Sequence, residues 1–298
     1  MNLIIAVIVL IVVHKIFKYL YRKQFHIENS IVVITGSANG LGRKLCFEFA
    51  KKQCQIICID INEPSNNETI QLIKKTYPQC NIKSFICDVS KYDQVKNVIQ
   101  QILIEYKHVD ILINNAGIIH CSEIEEYTET QIQNIMNINV LAHFWTTKEI
   151  LPSMKERDYG CIVAISSLGG IIGVKHINPY CTSKFAVTGF MESLKNELRA
   201  RKSKIRTLSV HPNFMCTQMV KSNMHNNRFF HVQDPSNVAH EIIVGIENGE
   251  TRIFIPFYLW HLEKLGRLFP FIFHYLLDNI LSIKKLVSPN YQENNNVL

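Results

Sequence analysis

Short apolar runs rich in Ile and Val alternate with helical patterns through the middle of the chain. The runs at 31–35 (IVVIT) and 161–165 (CIVAI) are apolar at nearly every position, which is typical of parallel strands covered on both faces. Regular alternation of strand and helix predicts a doubly wound parallel sheet of about seven strands, a Rossmann-like α/β fold. We expect strands at 31–35, 55–59, 82–87, 109–113, 161–165, 205–210 and 252–256, and helices at about 66–77, 91–106 and 129–157.

A glycine-rich turn follows the first predicted strand, and a helical pattern begins directly after it. Glycines allow the backbone to approach a pyrophosphate, and the helix N-terminus presents unpaired N–H groups to it. The order strand, turn, helix therefore predicts a dinucleotide site. Its expected contacts are Gly36, Ser37, Asn39, Gly40, Leu41 and Gly42.

A carboxylate stands at the end of the second predicted strand. Asp60 can accept hydrogen bonds from a ribose 2'-hydroxyl and would repel a 2'-phosphate. Asn39 occupies a loop position where a basic residue would favour that phosphate. We therefore expect NAD rather than NADP. Arg43 is the nearby cation that would upset this expectation, and we interpret it as a solvated helix residue.

Polar residues and glycine also follow the later strands. In a parallel sheet the carboxyl ends of the strands share one edge, and ligands bind beyond that edge. Further cofactor contacts are therefore expected from Asp88, Val89, Asn115, Ala116 and Gly117.

Tyr180 and Lys184 lie four positions apart in a helical pattern, which puts both side chains on one face. A cation beside a phenol lowers the tyrosine pKa from its reference of about 10, so that the phenol can exchange protons with an alcohol or a carbonyl. Ser167 follows the fifth strand and adds a hydroxyl at the same edge. Asn139 lies in the long helical pattern, where spacing alone does not separate it from an asparagine that satisfies buried backbone groups.

Composition and charge narrow the class of protein. The chain has 298 residues, a net charge of +7 and nine cysteines without metal-site spacing. With no linker in view, we expect one catalytic domain at 30–256 that is cytosolic, has reduced and mostly buried cysteines, and holds no metal. No basic motif interleaved with aromatics accompanies the charge, so we do not expect nucleic acid as a partner. An anionic membrane surface is the expected partner of the basic residues.

Apolar segments flank the predicted domain. Residues 1–13 are almost wholly apolar and are followed by cations, which favours an uncleaved membrane anchor at 1–23 over a signal peptide and keeps the domain on the cytosolic side. Residues 216–234 are polar and lack a period, as in an active-site lid. An apolar segment at 257–290 with interspersed cations predicts a membrane-facing surface, and the polar tail at 291–298 is expected to be disordered.

The ordered motifs resemble those of the short-chain dehydrogenase/reductase superfamily: TGSANGLG, NNAG, Asn139, Ser167 and YCTSK. The segments NVLAHFWTTK, HPNF and RIFIP and the apolar amino terminus look like the subgroup of 17-beta-hydroxysteroid dehydrogenases of types 11 and 13 and epidermal retinol dehydrogenases. That subgroup comprises membrane- or lipid-droplet-associated enzymes of hydrophobic alcohols. One departure is Pro212-Asn213, where the superfamily usually has Pro-Gly.

The resemblance implies a role for each site residue. Tyr180 would be the general acid/base, and Lys184 would lower its pKa and bind the nicotinamide ribose. Ser167 would bind the substrate oxygen, and Asn139 would hold a water that relays protons to Lys184. Pro212 and Thr217 would contact the cofactor, and a homodimer would form on the helices that hold Asn139 and Tyr180.

Together these expectations describe an NAD-dependent oxidoreductase at the endoplasmic reticulum membrane or the lipid droplet. Its substrate would be a hydrophobic alcohol of steroid, retinoid or long-chain lipid type, interconverted with the carbonyl. Two alternatives remain: an NADP-dependent lipid carbonyl reductase, and a lipid-droplet scaffold protein in which the dehydrogenase fold serves only for interaction.

Overall fold

The parallel sheet expected from the sequence is the centre of the computed structural model, which describes residues 24–213, 215, 233–257, 259 and 264. The strands are β1 (Ile31–Thr35), β2 (Gln55–Asp60), β3 (Ile82–Ile86), β4 (Ile111–Asn114), β5 (Cys161–Ile165), β6 (Arg206–Pro212) and β7 (Arg252–Ile255). The helices are α1 (Gly40–Lys51), α2 (Glu63–Thr76), α3 (Tyr92–Tyr106), α4 (Glu129–Met136), α5 (Ala142–Arg157), α6 (Asn178–Ala200) and α7 (Pro235–Glu247).

All seven strands form one sheet in the order β3-β2-β1-β4-β5-β6-β7, and every neighbouring pair is parallel. The strand order reverses between β1 and β4, and the crevice outside such a switch point is where open α/β sheets bind ligands. The predicted Rossmann-like fold is confirmed.

Helices cover both faces of the sheet. On one face α1 and α7 pack through residues such as Leu45, Phe49 and Ile242. On the other face α3, α5 and α6 contribute residues such as Ile102, Ile150, Val187 and Met191. Because β1 and β5 are buried along their whole length, their sequences are apolar without alternation.

The single helix predicted at 129–157 is wrong in one respect. A π-helical turn, Asn137–Leu141, separates α4 from α5. A π turn inserts an extra residue into the helix, and such turns are frequent at functional sites. The apolar spacing on either side continues as if the helix were uniform, so periodicity does not reveal the insertion.

Helix termini follow the sequence more closely. Asp234 is the N-cap of α7 and accepts a 2.7 Å hydrogen bond from the Ser236 N–H, with Pro235 as the first helical residue. Asn62 caps α2 and accepts from the Ser65 N–H at 3.0 Å, so this helix begins three residues before the predicted 66.

The chain already packs on the domain before residue 30. Phe25 and Ile27 belong to the core, and the Phe25 ring stacks on Tyr159 with centroids 5.0 Å apart. The Arg206 guanidinium also lies over the Phe25 ring, 5.5 Å from its centroid. Residues 24–30 therefore form a strap against the sheet at the edge opposite the carboxyl ends of the strands.

Several expectations fall on other parts of the chain. The anchor at 1–23, the tail at 291–298, Thr217 and most of the lid at 216–234 and of the segment at 257–290 lie outside the described residues. In the described part, no helix combines the length and apolar character needed to cross a membrane. The eight cysteines described are free thiols, and six of them are buried.

Candidate active site

The glycine-rich turn folds tightly against the first turn of α1. Gly36 has φ +68, and a Cβ atom on Gly42 would lie 1.9 Å from the Gly36 carbonyl oxygen. Gly36 N–H donates to the Ile59 carbonyl at 2.8 Å, which fixes the turn to the end of β2. The turn therefore requires glycine at 36 and 42, and it leaves the start of α1 at the carboxyl edge of the sheet.

The polar side chains of the turn contact the protein. The Ser37 hydroxyl is fully buried and donates to Asn66 Oδ1 at 2.8 Å, while Asn39 Oδ1 accepts from the Ser65 hydroxyl at 3.1 Å. Both interactions attach the turn to α2. The hydroxyl of Ser37 is thus engaged within the protein.

Asp60 is held beside this turn by two backbone groups. Its Oδ2 accepts from the Ala38 N–H and its Oδ1 from the Asn62 N–H, both at 2.9 Å. The carboxylate is half-buried at the end of β2 and bridges the glycine turn and the start of α2.

The interpretation of Arg43 as a solvated residue is wrong. Only 19% of its side chain is exposed, and Nη2 pairs with Glu68 Oε2 at 2.6 Å. Its Nε donates to the Ala38 carbonyl at 2.9 Å. Arg43 thus connects α1, the glycine turn and α2, because the cap at Asn62 brings α2 alongside the turn.

The loop after β4 is bound to the glycine turn through Thr35, a residue that the sequence did not single out. Thr35 Oγ1 accepts from the backbone N–H groups of Asn115 at 3.0 Å and Ala116 at 3.1 Å. The Asn115 amide in turn donates to the carbonyls of Thr35 at 2.9 Å and Gly36 at 3.1 Å. The signal that would have found Thr35 is a hydroxyl at the last position of an otherwise apolar strand.

The remaining expected cofactor residues lie at the same edge. Asp88 follows β3, and its Oδ1 accepts from the Ser90 N–H at 2.9 Å, with Val89 buried beside it. Pro212 ends β6 opposite Ile255 of β7. Gly117 stands where a Cβ atom would meet Asn139 Oδ1 at 3.3 Å and Lys184 Nζ at 3.5 Å.

Asn139 sits in the π turn and is fully buried. Its Oδ1 accepts from the Ile118 N–H at 2.8 Å, and its Nδ2 donates to the Ile118 carbonyl at 2.9 Å and to Ser183 Oγ at 3.0 Å. This side chain therefore joins the loop after β4 to α6, one residue before Lys184.

Lys184 is buried, and its Nζ donates a 2.9 Å hydrogen bond to the Ile165 carbonyl. The same Nζ lies 5.6 Å from the centroid of the Tyr180 ring. Burial disfavours the ammonium and lowers the pKa of Lys184 to about 8.

Burial also raises the pKa of Tyr180 to about 12, against the opposing influence of a hydrogen bond with Ser167. The expected lowering of this pKa by Lys184 is therefore wrong for the chain on its own. The cause is desolvation of the phenolate, which outweighs the other effects. A further positive charge beside the phenol is needed to bring its pKa down.

Ser167 caps the turn that follows β5. Its Oγ accepts from the Gly169 N–H at 3.1 Å, and its carbonyl oxygen lies 3.3 Å from His211 Nδ1. His211 is buried, stacks on Phe254 and has Nε2 2.9 Å from Ser209 Oγ. Burial, with a smaller contribution from Arg252, lowers the pKa of His211 to about 3, so the ring that supports Ser167 is neutral.

His143 is a second buried histidine near the site. It lies one helical turn after Asn139, and neither ring nitrogen has a hydrogen-bond partner among the described residues. Burial, and next the charge of Lys184, lower the pKa of His143 to about 3. Sequence reasoning assigned neither histidine a role, although both lie in segments, HFW and HPNF, that stand out from the surrounding pattern.

The fold thus brings the four expected catalytic residues together beyond the ends of β4 and β5. Tyr180 contacts Ser167, Lys184 contacts the end of β5, and Asn139 contacts the helix that carries both Tyr180 and Lys184. A phenol beside a hydroxyl and a buried ammonium can exchange a proton with a bound oxygen. The glycine turn, Asp60 and Asp88 extend along the same edge.

Comparison with known proteins agrees with this geometry. Residues 30–228 match the short chain dehydrogenase family. Estradiol 17-beta-dehydrogenase 11 of Homo sapiens is 32% identical over 267 residues, which cover 89% of this chain and 88% of the relative. Human 17-beta-hydroxysteroid dehydrogenase 13 is 32% identical over 279 residues, covering 91% of both chains.

Solved structures share the fold. A short chain dehydrogenase/reductase from Burkholderia phymatum in complex with NAD superposes with a TM-score of 0.74 at 19% identity, covering 85% of this chain and 96% of that one. Actinorhodin polyketide ketoreductase with NADPH gives a TM-score of 0.71 at 23% identity, covering 78% and 97%. At these identities the likeness concerns the fold, and the two proteins bind different dinucleotides.

Proposed function

Since this chain belongs to the short-chain dehydrogenase/reductase family, we propose that it interconverts a hydrophobic alcohol and its carbonyl by hydride transfer with NAD(H). The observation that carries the proposal is the placement of Tyr180 beside Ser167 and buried Lys184, at the sheet edge where the glycine turn opens. These groups offer a proton donor and acceptor next to a dinucleotide site, and that combination is what alcohol oxidation needs.

The residues present fit a nicotinamide dinucleotide. Glycines 36 and 42 allow the turn to fold tightly against the loop after β4, because a Cβ atom on either would meet protein atoms at 2.9 Å or less. Since α1 begins at this turn, its first N–H groups are available to a pyrophosphate. Asp60 is held in place to accept from a ribose hydroxyl. When bound, the nicotinamide ring supplies the hydride acceptor or donor.

NAD is the dinucleotide that we propose. The Asp60 carboxylate would repel a 2'-phosphate, and Arg43 is paired with Glu68 at 2.6 Å, so its charge is already compensated. A 2'-phosphate at this point would have to break that ion pair or lie against the carboxylate.

Tyr180 exchanges the proton of the substrate oxygen, which Ser167 positions by a hydrogen bond. Oxidation needs the phenolate, which is favoured when a cationic ring stands beside Tyr180, because burial alone holds its pKa at about 12. Lys184, with a pKa lowered to about 8, can give up or take back a proton near neutral pH. Asn139 fixes the loop around Lys184, and we retain the proposal that it holds a relaying water.

The substrate class rests on the relatives and on the apolar ends of the chain. One relative, 32% identical, is named as a dehydrogenase of the 17-beta position of estradiol, which is a secondary alcohol on an apolar ring system. We propose a steroid, retinoid or long-chain lipid alcohol for this chain. The apolar segments at 1–13 and 257–290 suit a protein that meets such a substrate at a membrane.

We further propose that the protein is anchored by residues 1–23 at the endoplasmic reticulum membrane or the lipid droplet, with the domain at 30–256 in the cytosol. A homodimer built on α5 and α6 completes the proposal. Its support is a cluster of exposed aromatic side chains on these helices: Phe144 and Phe185 are each 45% exposed, and Phe144 contacts Phe190 with ring centroids 4.4 Å apart.

The proposed function is tested with the full-length protein in phospholipid vesicles. Estradiol, retinol and a long-chain alcohol are each supplied with NAD and, separately, with NADP, and reduced dinucleotide is followed at 340 nm. We expect turnover of at least one of these alcohols with NAD. Absence of turnover with any alcohol, although NAD binds, would refute the proposed substrate class.

A further inference from the structure

Asn213 has a buried side chain whose polar atoms are unmatched. The residue is 3% exposed, and neither Nδ2 nor Oδ1 has a hydrogen-bond partner in the described part of the chain. A side-chain amide carries two donors and an acceptor with two lone pairs. Leaving such groups buried and unpaired costs about 1–3 kcal/mol each, so this position is unfavourable unless a ligand or water completes it.

The backbone of Asn213 is fixed at the cofactor edge. Its N–H donates to the Ile255 carbonyl at 2.8 Å, directly beyond the end of β6. Two residues earlier, His211 contacts the Ser167 carbonyl at 3.3 Å. Because side chains alternate along a strand with a rise of about 3.3 Å per residue, Asn213 continues the His211 face about 7 Å further out.

The neighbouring strand ends confirm this position. Val210 of β6 pairs with Ile165 of β5, whose carbonyl binds Lys184. Asn213 lies three residues beyond Val210, so it stands past the sheet edge, on the side of the sheet where Ser167 follows β5. An unmatched amide is therefore held just beyond the end of β6, at the same edge of the sheet as Ser167 and Lys184.

We propose that the Asn213 side chain binds the carboxamide of the nicotinamide ring. This inference rests on the proposed function. A primary carboxamide has an NH₂ donor and a carbonyl acceptor, and so does the Asn side chain. The NH₂ of each amide can therefore donate to the carbonyl of the other, which gives two hydrogen bonds between uncharged groups. The ligand recognised at this point is a carboxamide-bearing heterocycle, and Asn213 selects it.

The chemistry of the surroundings favours a neutral partner. His211 is uncharged because its pKa is lowered to about 3, and the ammonium of Lys184 is bonded elsewhere. The superfamily usually has glycine here, which provides no side chain, whereas the subgroup that this chain resembles tolerates the departure. In this chain the carboxamide therefore gains a partner that a Pro-Gly turn does not supply, and the ring is oriented by it.

Equilibrium binding to the full-length protein tests the proposal without turnover. The probes are NAD, 3-acetylpyridine adenine dinucleotide, in which a methyl group replaces the carboxamide nitrogen, and ADP-ribose, which lacks the ring. Each is titrated calorimetrically into wild type, Asn213→Ala and the control Asn237→Ala, an exposed residue of α7. Wild type and Asn213→Ala, each with NAD and with the acetyl analogue, form a double-mutant cycle that isolates the contact between Asn213 and the carboxamide.

We expect wild type to bind NAD about 10-fold more tightly than the acetyl analogue, because a site built for an N–H group rejects a ligand that lacks it. In Asn213→Ala this ratio should fall to about 2-fold, with unchanged affinity for ADP-ribose. Asn237→Ala should keep the wild-type ratio. Asn213→Gly, which restores the family turn, gives a second measurement of the same ratio if the alanine variant does not fold.

Equal preference for NAD over the analogue in wild type and in the Asn213 variants would overturn the inference, as would a wild type that shows no preference. Both results leave the nucleotide site intact. Failure of wild type to bind NAD and ADP-ribose alike would instead overturn the proposed function, and this inference with it.

Discussion

The Lys184 ammonium donates a 2.9 Å hydrogen bond to the carbonyl oxygen of Ile165, the last residue of β5. This bond connects α6 to the strand that leads into Ser167. It therefore helps to hold Tyr180 of α6 beside the Ser167 hydroxyl. Lys184 is thus a structural link as well as a titratable group, and the proposed mechanism uses both properties.

Asp60 should determine the choice of dinucleotide. We expect wild type to bind NAD at least about 10-fold more tightly than NADP, and Asp60→Ser to reduce that ratio, because the carboxylate that repels a 2'-phosphate is removed. Calorimetric titration with both dinucleotides measures the ratio. The exposed Glu105 of α3 provides a matched control, and Glu105→Ser should leave the preference unchanged. A wild type that prefers NADP would contradict the assignment of NAD.

Two glycine-to-alanine substitutions should have opposite effects. In Gly42→Ala the new Cβ atom would lie 1.9 Å from a backbone oxygen, so we expect the free energy of unfolding to fall by about 3 kcal/mol and NAD binding to be lost. Gly189→Ala in α6 meets no atom within 4 Å and should raise the free energy of unfolding by about 0.5–1 kcal/mol. Urea unfolding of both variants checks this contrast, and a destabilised Gly189→Ala would contradict it.

The exposed aromatic cluster on α5 and α6 should hold a dimer together. Phe144→Glu places a charge in the proposed interface and should give a monomer, as measured by sedimentation velocity in detergent. Ile104 on α3 is 72% exposed and outside the cluster, so Ile104→Glu should remain dimeric. A wild-type monomer, or a dimeric Phe144→Glu, would contradict the proposed assembly.

Acid should destabilise the fold through its buried histidines. The pKa values of His143 and His211 are lowered to about 3 in the folded chain, against about 6.5 when unfolded. Below pH 6.5 the unfolded chain binds protons that the folded chain does not, so stability falls as the pH drops toward 3. At pH 5 the loss is about 2 kcal/mol per histidine.

His143→Leu tests that loss, because it removes one titrating group together with two unmatched ring nitrogens. Its free energy of unfolding should not fall at pH 7, and the drop between pH 7 and pH 5 should be about 2 kcal/mol smaller than in wild type. The exposed His26 provides the control, and His26→Gln should retain the wild-type drop. An unchanged drop in His143→Leu would show that this ring is protonated in the folded chain.

The parts of the fold that the sequence predicts are those set by local chemistry. The bounds expected for the strands at 31–35 and 161–165 are those of β1 and β5, because both are buried on two faces and their apolar runs end in turn residues. The cap at Asp234 is local in the same way. Glycine requirements at 36 and 42 also follow from a short stretch of chain.

What the sequence does not predict depends on contacts between distant segments. Arg43 looks solvated in its helix, yet it is covered because α2 brings Glu68 to it. The pKa of Tyr180 rises because packing of other elements desolvates the phenol, which no spacing within YCTSK reveals. The unmatched side chains of His143 and Asn213 are likewise properties of the packed interior.

Substitution of the proposed acid/base tests the central claim most directly. Turnover of a lipophilic alcohol with NAD is compared in wild type, Tyr180→Phe and Tyr159→Phe, the last at the opposite edge of the sheet. We expect Tyr180→Phe to bind NAD as wild type does and to lose turnover by about 1,000-fold, because the proton acceptor is gone, while Tyr159→Phe stays active. A Tyr180→Phe protein that binds NAD and keeps wild-type turnover would contradict the account.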